Sequence, residues 1–120
     1  MKDGYIRAAA MTPKIKVADC EYNIENIKRL MSEAHKKDTA IAVFPEMCIT
    51  GYTCNDLFLH DRLLDSALEG LVVLKHFSET VKGMISFVGL PYEMNGKLYN
   101  VVAGVMNGQI LGMVPKIYLP

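Results

Sequence analysis

The sequence predicts an α/β fold built on a mixed sheet, and three observations carry that prediction. Apolar strand-like runs alternate with helix-period segments from Tyr5 to Leu90. Two Asn-Gly pairs, Asn95-Gly96 and Asn107-Gly108, then follow between strand-like runs, the favoured filling of tight type I′ hairpins. Hydrophobic residues make up 51% of the 120, enough for the core of one domain.

Tyr5 to Met11 is apolar except for Arg7 and ends at Thr12-Pro13, which predicts a first strand closed by a turn, its small alanines closely packed by a neighbour. After a connection from Ile15 to Glu21, Asn23 is placed to cap a helix with Ile24, Ile27, Leu30, Met31 and Ala34 on one face. Glu25 near its start and His35, Lys36 and Lys37 near its end complement the helix dipole. Asp38-Thr39 turns the chain into Ala40 to Phe44, a continuous apolar run of the kind found in strands covered on both faces. Leu57-Phe58-Leu59 forms a short apolar turn, and Asp61 then opens a second helix with Leu64, Ala67, Leu68, Leu71 and Leu74 at helical spacing. Gly70 weakens this helix and fits close approach of the sheet. Gly83 ends the connection that follows, and Met84 to Leu90 is a third strand, parallel to the first two by right-handed crossovers. Leu98 to Met106 and Gln109 to Val114 follow as antiparallel neighbours.

Composition narrows the function. Thirteen basic residues cancel thirteen acidic ones, leaving no field to attract nucleic acid or anionic lipid. No apolar run approaches the roughly 20 residues of a membrane span, and no signal-peptide apolar region precedes Arg7. A cytoplasmic protein with neither nucleic-acid nor membrane partner is expected. Three cysteines, Cys20, Cys48 and Cys54, without a Cys-x-x-Cys pair fit reduced thiols. His35, His60 and His76 lack ligand spacing, so no metal site is expected.

The informative stretch is Val43 to Asp56. Pro45 cannot donate the next ladder hydrogen bond, so Glu46 is delivered where a strand runs out, the usual location of sites in parallel α/β sheets. By itself a glutamate there is most often a solvated loop charge, and Lys116, beside Pro115, reads as a surface cation beyond a strand. Tyr52 and Tyr118 can equally be packing residues with an exposed hydroxyl.

Taken together, Phe44-Pro45-Glu46, Gly51-Tyr52, the two hairpins and Pro115-Lys116-Ile117-Tyr118-Leu119-Pro120 resemble the nitrilase, or carbon-nitrogen hydrolase, superfamily. Within it, Phe44 to Phe58, and Lys16-Val17-Ala18-Asp19-Cys20 with Asn23, are most similar to the amino-terminal glutaminase domains of the glutamine-dependent NAD synthetases. The resemblance implies the first half of an αββα sandwich, a mixed sheet with helices packed on one face. Residues 1–120 would be the amino-terminal part of such a domain, with its carboxy-terminal part and any synthetase domain absent.

A Glu, Lys, Cys triad is implied, with Glu46 as general base and Lys116 as oxyanion stabiliser. Tyr52 is expected at the amide pocket or ammonia exit. Glutamine is the implied substrate of the full-length parent. Its cysteine nucleophile is expected beyond Pro120, with Cys48 and Cys54 small buried or half-buried thiols, so the chain alone is expected to be inactive. ATP and magnesium are implied only for the absent synthetase domain, and no Walker or dinucleotide pattern occurs here. Two alternatives stand beside this reading: another amidase or nitrilase of the superfamily, and a non-catalytic module. Half a sandwich leaves apolar sheet uncovered, which predicts a homo-oligomer.

Overall fold

In the computed structural model, which describes residues 4–51 and 61–116 apart from the side chains of Asp61 and Lys116, five strands form one sheet in sequence order. The strands are β1 (Ala8–Ala10), β2 (Ile41–Val43), β3 (Ile85–Met94), β4 (Lys97–Met106) and β5 (Gln109–Lys116). β1, β2 and β3 are parallel, and β3, β4 and β5 are antiparallel. The helices α1 (Cys20–Lys36) and α2 (Asp61–Phe77) make the two crossovers. The expected mixed α/β sheet is therefore present. Both hairpins carry their Asn-Gly pair at positive φ, 52° and 76° in the first and 51° and 81° in the second, as a type I′ turn requires.

Alternation along the strands decides which face is covered. Ala42, Phe44, Val88, Leu90, Val101, Ala103 and Val105 are buried with Ile24, Ile27 and Met31 of α1 and Ala67, Leu71 and Leu74 of α2 in one apolar core. The other face is open. Val43 is 44% exposed and Val114 68%, so β2 is covered on one side only, contrary to what its unbroken apolar run suggested. The run reports that both faces are apolar, not that both are covered. β1 is likewise shorter than expected, and its alanines are exposed or half-buried at the sheet edge instead of tightly packed.

The helix ends also differ in detail. Asp19, not Asn23, caps α1, its carboxylate accepting from the Tyr22 amide at 3.0 Å, and Glu21 supplies the first-turn acid. Asn23 lies inside the helix and is fully buried. In α2 the inward stripe is Leu63, Ala67, Gly70, Leu71 and Leu74, while Leu68 is 41% exposed. Asp61 is the first residue of α2, and the Leu57–Leu59 turn lies outside the described residues. Gly70 does permit a close approach, but by α1: a Cβ there would lie 3.0 Å from the Ile24 side chain. Pro115 and Lys116 extend β5 instead of following it. β5 is an edge strand, where proline is tolerated because one side of the strand needs no ladder bond.

Candidate catalytic site

β2 stops at Val43, but the chain does not leave the sheet. The Phe44 amide still donates to the Phe87 carbonyl at 2.9 Å, and the Ile49 amide donates to the Gly89 carbonyl at 3.2 Å. Between them Met47 takes a positive φ of 53°, and the amides of Thr50 and Gly51 both donate to its carbonyl, closing a tight turn. Gly89 makes this seat possible. A Cβ there would lie 2.5 Å from the Met47 nitrogen and 3.0 Å from the Glu46 Cα. The loop thus rests directly on β3 at a position where only glycine fits.

Two further anchors fix it. Asn23 on α1 accepts from the Lys16 amide at 2.7 Å and donates to the carbonyls of Lys16 and Ile49, each at 2.9 Å. One buried amide thereby joins the segment before the helix to the Glu46 loop. Cys48 is also fully buried, its Sγ 3.4 Å from the Gly89 amide that donates to it and 3.7 Å from the Gly89 carbonyl. Burial pushes this thiol up to about 11, against the lowering effect of its backbone hydrogen bonds. Cys20 is buried as well, and Cys54 lies outside the described residues.

Glu46 is half-buried at the end of this frame. The Asn100 amide Nδ2 donates to Glu46 Oε2 at 3.3 Å across 54 positions of sequence. Asn100 lies on β4, paired with Pro91 on β3 and with Lys116 on β5. The backbone register thus places Lys116 opposite the residue that holds Glu46. Tyr52 lies outside the described residues. Among the described residues no group of three or more His, Cys, Asp or Glu side chains could hold a metal ion, and no helix is long and apolar enough to cross a membrane.

Asn100 and Gly89 are the residues that motif reasoning missed. The signal for Asn100 was a single amide amid the apolar residues of β4; the signal for Gly89 was a glycine interrupting an apolar strand. Asn100 Oδ1 is buried without a hydrogen-bond partner among the described residues.

The mixed sheet carries a carboxylate just beyond β2 and a lysine three strands away on β5, and a model of the carbon-nitrogen hydrolase family matches residues 7–120. The chain belongs to that family. Among its relatives, the glutamine-dependent NAD(+) synthetase of Mycobacterium tuberculosis is 33% identical over 117 residues, covering 98% of this chain and 17% of that protein. The synthetase of Aquifex aeolicus is 34% identical over 104 residues, 87% of this chain and 18% of that protein. The crystal structure of a glutamine-dependent NAD(+) synthetase from Cytophaga hutchinsonii superposes with a TM-score of 0.88 at 33% identity, over 96% of this chain and 19% of that one. An amidase from Nesterenkonia sp. shares the fold at a TM-score of 0.80 and 17% identity, over all of this chain and 46% of that one. The chain thus spans about a sixth of the length of the curated synthetases it matches.

Proposed function

We propose that this chain contributes the general base, Glu46, and the oxyanion-stabilising cation, Lys116, to the glutamine-hydrolysing site of a glutamine-dependent NAD synthetase. The supporting observation is Asn100, whose side chain holds Glu46 and whose backbone pairs with Lys116. In this reading a cysteine thiol attacks the carboxamide carbon of glutamine. Glu46 takes the thiol proton and passes it to the departing ammonia, while the Lys116 ammonium balances the charge on the tetrahedral oxyanion. Water then hydrolyses the thioester to glutamate and restores the thiol. Tyr52 is assigned to the amide pocket or the ammonia exit.

The nucleophile is assigned to none of the described cysteines. A buried thiol with a pKa near 11 holds almost no thiolate at neutral pH, which removes Cys48. The chain alone is therefore expected not to hydrolyse glutamine. Ammonia would be consumed elsewhere in the cytoplasmic synthetase, where ATP and magnesium serve to activate the acid that is amidated to NAD; the described residues offer no cluster to hold that metal.

A chimera tests the assignment. This chain, substituted for the matched segment of the Cytophaga hutchinsonii synthetase, should sustain NAD formation from glutamine. Glu46→Gln or Lys116→Ala in that chimera should lower glutamine-dependent turnover by about 100-fold or more while turnover from free ammonia persists. Equal loss with both nitrogen sources would overturn the assignment.

The open sheet face favours a second property, self-association. Val43, Leu111 and Val114 expose 44%, 55% and 68% of their surface on strands whose opposite face forms the core. Burying such a patch against another copy follows from the hydrophobic effect. Sedimentation at several concentrations should show association, and a concentration-independent monomer would contradict it.

A further inference from the structure

We propose that Asn100 is a positioning residue for Glu46, tying the carboxylate of the base to β4, the strand that also fixes the register of Lys116. This rests on the reading of Glu46 as the base. Asn100 is 4% exposed, on the face of β4 opposite to the core residues Val101, Ala103 and Val105. Its backbone is held on both sides, by Pro91 and by Lys116, so its Cα has little freedom. What remains to be explained is the amide. Nδ2 donates to Glu46 Oε2 at 3.3 Å, whereas the buried Oδ1 has no hydrogen-bond partner among the described residues.

Leucine branches at Cγ as asparagine does and carries no buried acceptor, so packing alone does not call for an amide here. The amide is therefore explained by the bond it donates. Its orientation follows from the same chemistry, because the reversed amide would set a carbonyl oxygen against a carboxylate oxygen. Gly89 and Asn100 divide the work: Gly89 seats the backbone of the loop, and Asn100 restrains the carboxylate at its tip. A donated N–H also favours the ionised carboxylate, the form a general base needs before it accepts a proton.

The test uses the 120-residue chain with isotope-labelled glutamate and asparagine, followed by NMR through a pH titration. In Asn100→Leu, thermal stability should be unchanged or higher, while the titration midpoint of the Glu46 carboxyl moves upward by about 0.5 pH unit or more. In the unsubstituted chain, the side-chain NH2 signals of Asn100 should shift with the titration of Glu46 and lose that response in Glu46→Gln. An unmoved Glu46 midpoint in a folded Asn100→Leu, or Asn100 amide signals indifferent to Glu46, overturns the proposal. Should Asn100→Leu fail to fold, the amide signals of the unsubstituted chain decide. Neither readout involves glutamine or turnover, so failure of the synthetase chimera and failure of this proposal are separate results.

Discussion

The Asn100 amide reaches Glu46 Oε2 at 3.3 Å, joining the centre of an antiparallel strand to the loop that follows a parallel one. The two halves of the mixed sheet meet at this bond. Parallel strands deliver the carboxylate at their C-terminal ends, as in other α/β sheets, and the antiparallel meander carries the chain back to the same place with a second set of side chains. Asn23 of α1 and Gly89 of β3 hold the loop, and Asn100 of β4 holds its carboxylate. That convergence makes the site sensitive to substitutions that never touch a ligand.

The seat of the loop should respond to a single methyl group. Gly89→Ala places a carbon 2.5 Å from the Met47 nitrogen, against backbone that cannot swing aside. A loss of about 1–3 kcal/mol is expected from overpacking. Thermal denaturation measures it, and amide hydrogen exchange should show weaker protection at Ile49, whose amide bonds to Gly89. Unchanged stability and exchange would mean that the loop is less tightly seated than the geometry requires.

Asn23→Ala removes three hydrogen bonds and leaves backbone groups of Lys16 and Ile49 without this partner. Destabilisation should reach about 3 kcal/mol, with Tm falling by roughly 10 °C. An ordinary helix cap would cost about 1 kcal/mol, so urea titration distinguishes a tertiary clamp from a cap.

Cys48 gives the chain an alkaline weakness. Its folded pKa is raised from 9.0 to about 11 by burial, so the unfolded thiol ionises first and stability drains away as pH rises through that window. Below about pH 9 the contribution is fully present; once the pH has risen past about 11 roughly 3 kcal/mol is lost, two pH units at about 1.4 kcal/mol each. Urea denaturation across this range should show a smaller decline in Cys48→Ala than in the unsubstituted chain. Parallel declines would mean that Cys48 ionises normally.

On the open face, Val114→Lys puts a charge at a position already 68% exposed. The folded chain should lose no more than about 0.5 kcal/mol, whereas association between copies should weaken. Sedimentation velocity reads both the size and the concentration dependence; unaltered association would move the contact to another surface.

Much of the fold was legible because its signals are local. An Asn-Gly pair needs no distant partner to favour a turn, and the apolar spacing of Ile24, Ile27 and Met31 describes its own helix face. Asn23 misled for the opposite reason: its residue type suits a cap, while its actual partners are Lys16 and Ile49, the latter 26 positions away. The same limit applies to the site. Glu46 announced itself through Pro45 and the surrounding motif, but the bond from Asn100 depends on a sheet register that no short stretch of sequence specifies. Ile41 to Val43 reads as apolar on both sides, and composition cannot say what lies against each side.

The pairing between β4 and β5 slips by one residue at Gly104/Val105, where Ile110 opposes Val105 and Gly112 opposes Gly104, leaving Leu111 without an opposite number. Had the first pairing continued unbroken, Lys116 would face Tyr99, on the other side of the pleat from Asn100. The single supernumerary residue Leu111 therefore acts as a frameshift within the strand, and it decides which residue of β4 stands opposite Lys116.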